Sequence, residues 1–306
     1  MLRVRYHRYF RLIGARALKY SLVQQVSQPQ RGYAENDDCA ACLEAGGAIY
    51  AWVIDGATSV ADRSYLGAAL GDVAWYSQAL CDALSSFAAT GASPKVLHAL
   101  AAGKVAHAYE QGVGSSPVPL YARPAAAVTI VRLEGDEGQL FYLADCPAFT
   151  LSRTGRVMRI TDMQRTDGEQ DLRDRVAASQ AREELTPKQM FLEQIGWLRT
   201  GREEQLKNRP LAVSAAISGA TFGGFERRID LADCRALVLM SDGFERYSAQ
   251  YRLGDDAAMV RAVVREGAAA VLEQIRSLER DDELCRKIPR LKASDDATCL
   301  VLTRDP

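Results

Sequence analysis

The chain has 306 residues, 48% of them hydrophobic and 25% charged, which is an ordinary composition for a globular protein of one large domain or two small ones. Its formal net charge of −1 gives no global electrostatic reason to bind nucleic acid or a membrane surface. No uninterrupted apolar run approaches the roughly 20 residues that a membrane-spanning helix needs.

The first 19 residues carry six Lys or Arg residues and no acidic residue. They lack the serine content of a transit peptide, and nothing in them resembles a secretory signal. We interpret residues 1–19 as a solvated basic arm that is able to contact an anionic partner. We expect the protein to be cytoplasmic.

The seven cysteines are scattered and odd in number, which favours a reducing compartment over a disulfide scaffold. The one close pair is Cys39 and Cys42. Because both fall within a predicted strand, their side chains point to opposite faces and cannot share a zinc ion or form an easy disulfide. We therefore interpret both as small core residues.

Apolar patterns and turn residues divide the first half of the chain into strands and two helices. The helices are predicted at residues 62–90 and 93–111, and Ser93-Pro94 opens the second. The strands are predicted at residues 20–26, 39–44, 49–55, 126–133, 139–144 and 148–152. We interpret the last three of these strands as a meander.

From about residue 162 to residue 210 the sequence is dense in mixed charge with helical spacing, which predicts a helical insert. Strands follow at residues 236–240 and 297–302, separated by a helix at about residues 257–280. Strands and helices do not alternate regularly, which favours an α+β fold with packed sheets and outer helices over a βαβ fold. We predict a single domain over residues 20–306.

Four short acidic phrases lie where predicted strands begin or end: Asn36-Asp37-Asp38, Asp55-Gly56, Ser241-Asp242-Gly243 and Ser294-Asp295-Asp296. Carboxylates fixed at strand ends can converge in space, and converging carboxylates repel one another unless cations neutralise them. The phrases therefore predict a two-metal hydrolytic site. Asp37, Asp38 and Asp296, taken singly, are explained equally well as turn or capping residues.

An ordered set of five phrases resembles the type 2C metal-dependent serine/threonine protein phosphatases, from about residue 20 to the C-terminus: Asn36-Asp37-Asp38, Asp55-Gly56, Ala144-Asp145-Cys146-Pro147-Ala148-Phe149, Ser241-Asp242-Gly243-Phe244 and Asp295-Asp296-Ala297-Thr298. The resemblance implies a four-layer αββα sandwich, in which two packed antiparallel β-sheets are flanked by helices on both outer faces. It also implies that the insert at about residues 162–210 is a flap beside the active site.

The resemblance further implies oxygen ligands for two Mn²⁺ or Mg²⁺ ions and for a third ion: Asp37, Asp55, the Gly56 carbonyl, Asp242 and Asp295 for the pair, and Asp162 for the third. Asp55 would bridge the two ions as one catalytic residue. Asp38, next to Asp37, would be a second catalytic residue. Tyr33 stands where the family often has a phosphate-gripping arginine, so Arg31 is the candidate for that contact. Ala57 follows the Asp-Gly phrase where the family has further glycine, and no general acid is assigned.

The function implied is hydrolysis of phosphoserine and phosphothreonine in proteins, by direct attack of a water activated between the two ions. Two alternatives remain open. One is a regulatory or binding module that keeps the fold with weak or no catalysis. The other is a different two-metal phosphoesterase such as a nuclease, which the lack of a basic surplus disfavours. Asp55, Asp242 and Asp295 are all present, which favours the enzyme.

Overall fold

The computed structural model describes residues 20–162 and 167–304. The predicted basic arm at residues 1–19 lies outside them. The strands are β1 Tyr20–Gln28, β2 Cys39–Ala45, β3 Ala48–Gly56, β4 Ala125–Glu134, β5 Glu137–Leu143, β6 Ala148–Ser152, β7 Val157–Arg159, β8 Ser214–Ala215, β9 Phe225–Asp230, β10 Cys234–Met240 and β11 Ala297–Arg304. The helices are α1 Gly71–Ala88, α2 Pro94–Val113, α3 Asp167–Arg182, α4 Pro187–Lys207, α5 Asp242–Ala249, α6 Asp256–Glu266 and α7 Ala268–Asp281, with a 3-10 turn at Leu120–Ala122.

The strands form two antiparallel sheets. One has the order β1-β11-β10-β6-β7, and the other has the order β2-β3-β4-β5-β9 with β8 paired to β4. Between the sheets lies an apolar core that includes Val53, Leu237 and Leu302. Helices α1 and α2 cover the outer face of the second sheet, and α5, α6 and α7 cover the outer face of the first. The predicted α+β sandwich with four layers, αββα, is confirmed.

The apolar run of β3 follows from its position inside the sandwich. Trp52 faces the helical layer, where its Nε1 donates a hydrogen bond to Cys81 Sγ at 3.3 Å, and Val53 faces the other sheet. Both faces of the strand are therefore buried, which is why its pattern does not alternate. In β2, Cys39 packs on the helical side and Cys42 packs on the inter-sheet side. This confirms the prediction that the two side chains point to opposite faces of the strand.

The first helix begins later than predicted. The sequence predicted a helix over residues 62–90, whereas α1 begins at Gly71. The preceding residues form a loop that folds over the first turn of α1, where Asp72 Oδ2 accepts a hydrogen bond from the Tyr65 backbone at 2.9 Å. Gly67 adopts a positive φ of 63°, which a helix does not allow.

The predicted meander is wrong. Strands β4 and β5 form a hairpin in one sheet, whereas β6 pairs with β10 in the other. The chain crosses between the sheets at Ala144, whose φ is +60°, and Thr129 Oγ1 anchors the crossing by donating to the Cys146 carbonyl at 2.6 Å. An alternating apolar pattern predicts which side chains share one face of a strand, but it does not predict which sheet the strand joins.

The helix predicted over residues 257–280 is two helices. Gly267 separates α6 from α7 with a φ of +104°. Four short elements were not predicted: β7, β8, β9 and α5.

In the described part of the chain, no helix combines the length and the apolar character needed to cross a membrane.

Candidate metal and active site

The four acidic phrases meet at one edge of the sandwich. Strand β3 ends there, β2 and β11 begin there, and α5 begins directly after β10. The Asp242 backbone donates to Asp55 Oδ2 at 3.0 Å, and Gly56 donates to the Asp37 carbonyl at 3.1 Å. The first of these bonds joins residues 187 positions apart in the chain.

Two glycines allow this close approach. A Cβ added to Gly56 would lie 2.4 Å from the Asp37 carbonyl oxygen, and a Cβ added to Gly243 would lie 1.9 Å from the Asp296 carbonyl oxygen. Either contact is far inside the van der Waals limit, so a larger residue would force the acidic segments apart. The glycine of each Asp-Gly pair is therefore required by packing.

Asp295 and Asp296 are held by hydrogen bonds from the Arg276 side chain and from the main chain that follows β1. Arg276 donates to the Asp295 carbonyl at 2.8 Å, and the Gln30 backbone donates to Asp296 Oδ1 at 2.8 Å. The Arg31 backbone donates to Ser294 Oγ, also at 2.8 Å. The end of β1 and the start of β11 therefore lock the last acidic phrase in place.

Asp38 is the least satisfied group in the cluster. It is 6% exposed, and within the described residues neither of its carboxylate oxygens has a hydrogen-bond partner. Burial raises the pKa of Asp38 well above its usual range, and the negative charges of Asp296 and Asp242 raise it further. The nearby Ser241 and Thr298 hydroxyls offset part of this rise without forming hydrogen bonds of regular geometry.

The other carboxyls divide into two groups. Burial together with neighbouring acids raises the pKa of Asp37 to about 7 and raises the pKa of Asp55 and of Asp242. Asp295 behaves in the opposite way: burial favours its neutral form, but Lys292 and Arg246 beside it bring its pKa below the usual value. Raised pKa values in a group of buried carboxyls indicate negative charge that lacks a counter-ion.

The carboxyls are not a preformed metal cage. Across residues 20–162 and 167–304, no three His, Cys, Asp or Glu side chains are gathered tightly enough to enclose a metal ion. The donor set nevertheless fits a hard divalent cation, because it consists of oxygen atoms and two of them, on Asp38, are buried and unpartnered. The residues present therefore fit Mg²⁺ or Mn²⁺ better than zinc.

A cavity of about 740 Å³ opens beside the cluster. The side next to the cluster is lined by Arg31, Tyr33, Asp37, Lys292 and Asp296, so Arg31, the predicted phosphate ligand, lies next to the acids. The first turns of α4 line its opposite wall with Pro187, Lys188, Phe191 and Leu192. The charged insert therefore borders the site, as a flap would.

A smaller cavity of about 260 Å³ lies on the other side of Asp242 and includes Asp145 and Asp162. Both carboxylate oxygens of Asp162 contact Arg227, at 2.6 and 2.7 Å, and its Oδ2 accepts a hydrogen bond from Tyr142. These bonds lower the pKa of Asp162, with the Tyr142 bond contributing most. Its role as a third-ion ligand stays a prediction.

The sequence prediction missed two cations, Arg246 and Lys292, that contact Asp295. Arg246 lies one turn after Asp242 on α5, a helix that the sequence prediction omitted although Ser241 and the acids after it are typical of a helix start. Lys292 lies three residues before Asp295 in an irregular segment. Had α5 been predicted, helical spacing would have placed Arg246 on the same face as Asp242. Lys292 lies in a loop, where no regular spacing relates it to Asp295.

The sequence model of the family described as protein phosphatase 2C matches residues 25–280. The chain is similar in structure to the serine/threonine phosphatase Stp1 from Staphylococcus aureus, with a TM-score of 0.56 and 13% identity over 98% of this chain and 100% of that chain. It is also similar to the S. agalactiae serine/threonine phosphatase, with a TM-score of 0.56 and 13% identity over 94% of this chain and 100% of that chain.

A third similar structure is the catalytic domain of the serine/threonine protein phosphatase PstP in complex with two manganese ions, with a TM-score of 0.52 and 17% identity over 94% of this chain and 99% of that chain. At these identities the likeness shows the fold alone. No curated protein sequence matches the chain significantly.

Proposed function

The chain belongs to the protein phosphatase 2C family, and from that premise we propose that it is a metal-dependent phosphatase that hydrolyses phosphoserine and phosphothreonine in proteins. The observation that carries the proposal is the meeting of Asp55, Asp242 and Asp295 at one edge of the sandwich, with the unpartnered Asp38 beside them. Asp295 already has protein counter-ions, but buried carboxylates such as Asp38 and Asp55 are costly unless a cation neutralises them.

We assign the ligands to two half-sites. The first half-site contains the ligands Asp37, Asp55 and the Gly56 carbonyl together with the neighbouring catalytic candidate Asp38, and the second half-site contains the ligands Asp242 and Asp295. Two Mg²⁺ or Mn²⁺ ions, when bound, would acidify a water and offset the charge of the phosphoryl group. The PstP catalytic domain, solved with two manganese ions, supports this choice of metal.

The side chains around the half-sites would orient the reactants. Asp38 would accept a proton from the attacking water, because its oxygens form no hydrogen bond of regular geometry within the described residues. Arg31 would bind phosphate in the larger cavity, where a phosphorylated side chain can enter beside Asp37. Asp162 remains the candidate ligand for a third ion. The insert formed by α3 and α4 would be the flap that contacts the phosphoprotein.

The ion pairs of Asp295 favour a second candidate, a regulatory module that binds a phosphoprotein without efficient turnover. Arg246 and Lys292 already neutralise one of the expected metal ligands. A module of this kind would bind phosphopeptides in the presence of a chelator, since its ligand contacts would be made by protein cations.

Hydrolysis assays separate the two candidates. We expect the wild type to hydrolyse an aryl phosphate and a phosphothreonine peptide with Mn²⁺ or Mg²⁺, and to be inactive with EDTA. Asp242→Asn should lower kcat by on the order of 10³-fold, because it removes a ligand from the reacting centre. Asp233→Asn is the control, since Asp233 is exposed and precedes β10 at the end remote from the site.

Metal-dependent turnover that survives Asp242→Asn would contradict the proposed site. A wild type that binds the phosphopeptide tightly in EDTA and never turns it over would instead establish the regulatory module.

A further inference from the structure

The second half-site contains its own cations. Arg246 contacts Asp295 Oδ2, and Lys292 Nζ lies 2.7 Å from Asp295 Oδ1. The exposed fraction of each of these three side chains is only 15 or 16%, so water screens the ion pairs weakly. Each oxygen of Asp295 therefore already faces a positive charge at contact distance.

The first half-site has a different charge environment. Within the described residues, both oxygens of Asp38 lack a hydrogen-bond partner. The Asp55 carboxyl is surrounded by the negative charges of Asp242, Asp38, Asp145 and Asp295. Among the described residues, no Lys or Arg side chain forms an ion pair with a carboxyl of the first half-site, although the charge of Lys292 also acts on Asp37. The first half-site therefore presents less neutralised negative charge to an arriving cation than the second.

A divalent ion cannot bind Asp295 while both protein cations stay in contact with it, because like charges in a weakly screened site repel strongly. Lys292 has room to move away, since it lines the cavity of about 740 Å³. Arg246 lies on the other side, lining the cavity of about 260 Å³. Displacement of Lys292 is therefore the simplest way to free an oxygen of Asp295.

We propose that Lys292 and Arg246 are internal competitors for the metal at the second half-site, so that the two half-sites load in order and with unequal affinity. This inference rests on the proposed function and adds a sequence of binding to it. The first ion binds at the first half-site without breaking an ion pair of the described residues. The second ion binds only when Lys292 leaves Asp295, and its affinity is lowered by that competition.

Mn²⁺ binding to the full chain tests the inference directly. We expect isothermal titration calorimetry of the wild type, with free Mn²⁺ followed by electron paramagnetic resonance, to give two dissociation constants at least about tenfold apart. Lys292→Gln should tighten the weaker site by at least about tenfold and leave the tighter site within about threefold, because Lys292 contacts Asp295 of the second half-site directly and acts on Asp37 of the first half-site without an ion-pair contact.

Lys188→Gln is the matched control. Lys188 lines the same cavity on α4 and is exposed, so its loss removes the same charge without touching Asp295. It should leave both dissociation constants within about threefold of the wild type. Arg246→Gln provides a second variant, expected to tighten the weaker site in the same direction, in case Lys292→Gln is unstable.

Two results would overturn the inference: equal dissociation constants in the wild type, or a weaker site unchanged by both Lys292→Gln and Arg246→Gln. Its failure is distinguishable from failure of the proposed function. Binding of two ions with equal affinity together with phosphopeptide hydrolysis would contradict the inference alone. Stepwise Mn²⁺ binding without hydrolysis would support the inference and contradict the proposed function.

Discussion

His98 shows how burial controls a single ionisable side chain outside the acidic cluster. It is fully buried on α2, with its Nε2 2.8 Å from Ser214 Oγ and its ring between Phe141 and Phe222. Desolvation lowers the pKa of His98 to about 3 from its usual 6.5. The folded protein therefore holds this imidazole neutral over the whole physiological range.

The lowered pKa of His98 makes the free energy of unfolding depend on pH in a definite direction. Between pH 6.5 and pH 3 the unfolded chain binds a proton on His98 that the folded chain does not bind, so the free energy of unfolding falls as the pH falls. We expect urea unfolding of the wild type to lose about 1.4 kcal/mol between pH 7.5 and pH 5.5 relative to His98→Leu. Parallel pH dependences of the two proteins would contradict this assignment.

At the scale of elements, strand positions were predictable because apolar runs are long and bounded by turn residues. The predicted strands over residues 49–55 and 126–133 are found as β3 and β4 with shifts of one residue at each end. The start of α1 was not predictable, because its loop depends on side-chain bonds to Asp72. Sheet membership of β6 was likewise decided by tertiary packing.

The insert of α3 and α4 contacts the loop that follows Asp55-Gly56 and the loop that precedes Asp295. Arg199 on α4 donates from Nε to the Val60 carbonyl at 2.8 Å, and its guanidinium lies 4.9 Å from the centroid of the Tyr121 ring. On the other side, Gln180 on α3 donates to the Cys285 carbonyl at 2.8 Å. These contacts hold α4 as a wall of the larger cavity.

Loosening that wall should affect large substrates selectively. Arg199→Met removes the Val60 bond and the ring contact, so we expect the KM for a phosphoprotein to rise by about tenfold, while kcat on an aryl phosphate stays within about twofold. Lys207→Met is the control, since Lys207 pairs with Glu203 on the exposed side of α4. Equal losses on both substrates would mean that α4 supports the catalytic centre instead of the docking surface.

At the scale of the whole molecule, the acidic site forms when the sandwich folds, because no single segment of the chain contains it. Its acids extend from Asp37 to Asp295 and are joined only where both sheets end at the same edge. The sequence predicted that meeting because acids at the ends of buried strands repeat in the chain. The counter-ions of Asp295 were not predictable, because Arg246 and Lys292 reach it from two elements whose relative position only the fold determines.

Assembly of this site has a cost that a cation should relieve. Asp38 is buried without a hydrogen-bond partner in the described structure, so the folded chain must either keep a proton on it or hold an unpaired charge. Asp38→Asn removes that charge, and we expect it to raise the free energy of unfolding in EDTA by about 1–2 kcal/mol. The same variant should lose hydrolytic activity.

Saturating Mn²⁺ should reverse the order of stability. A ligand that binds only the folded state adds about 2.7 kcal/mol at a concentration 100 times its dissociation constant, and only the wild type would bind Mn²⁺ with the proposed first half-site intact. We expect Tm to rise with Mn²⁺ by more in the wild type than in Asp38→Asn, with Asp233→Asn following the wild type. Should Asp38→Asn be the less stable protein in EDTA, the buried carboxyl would be a structural element of the fold and not a group held ready for a metal.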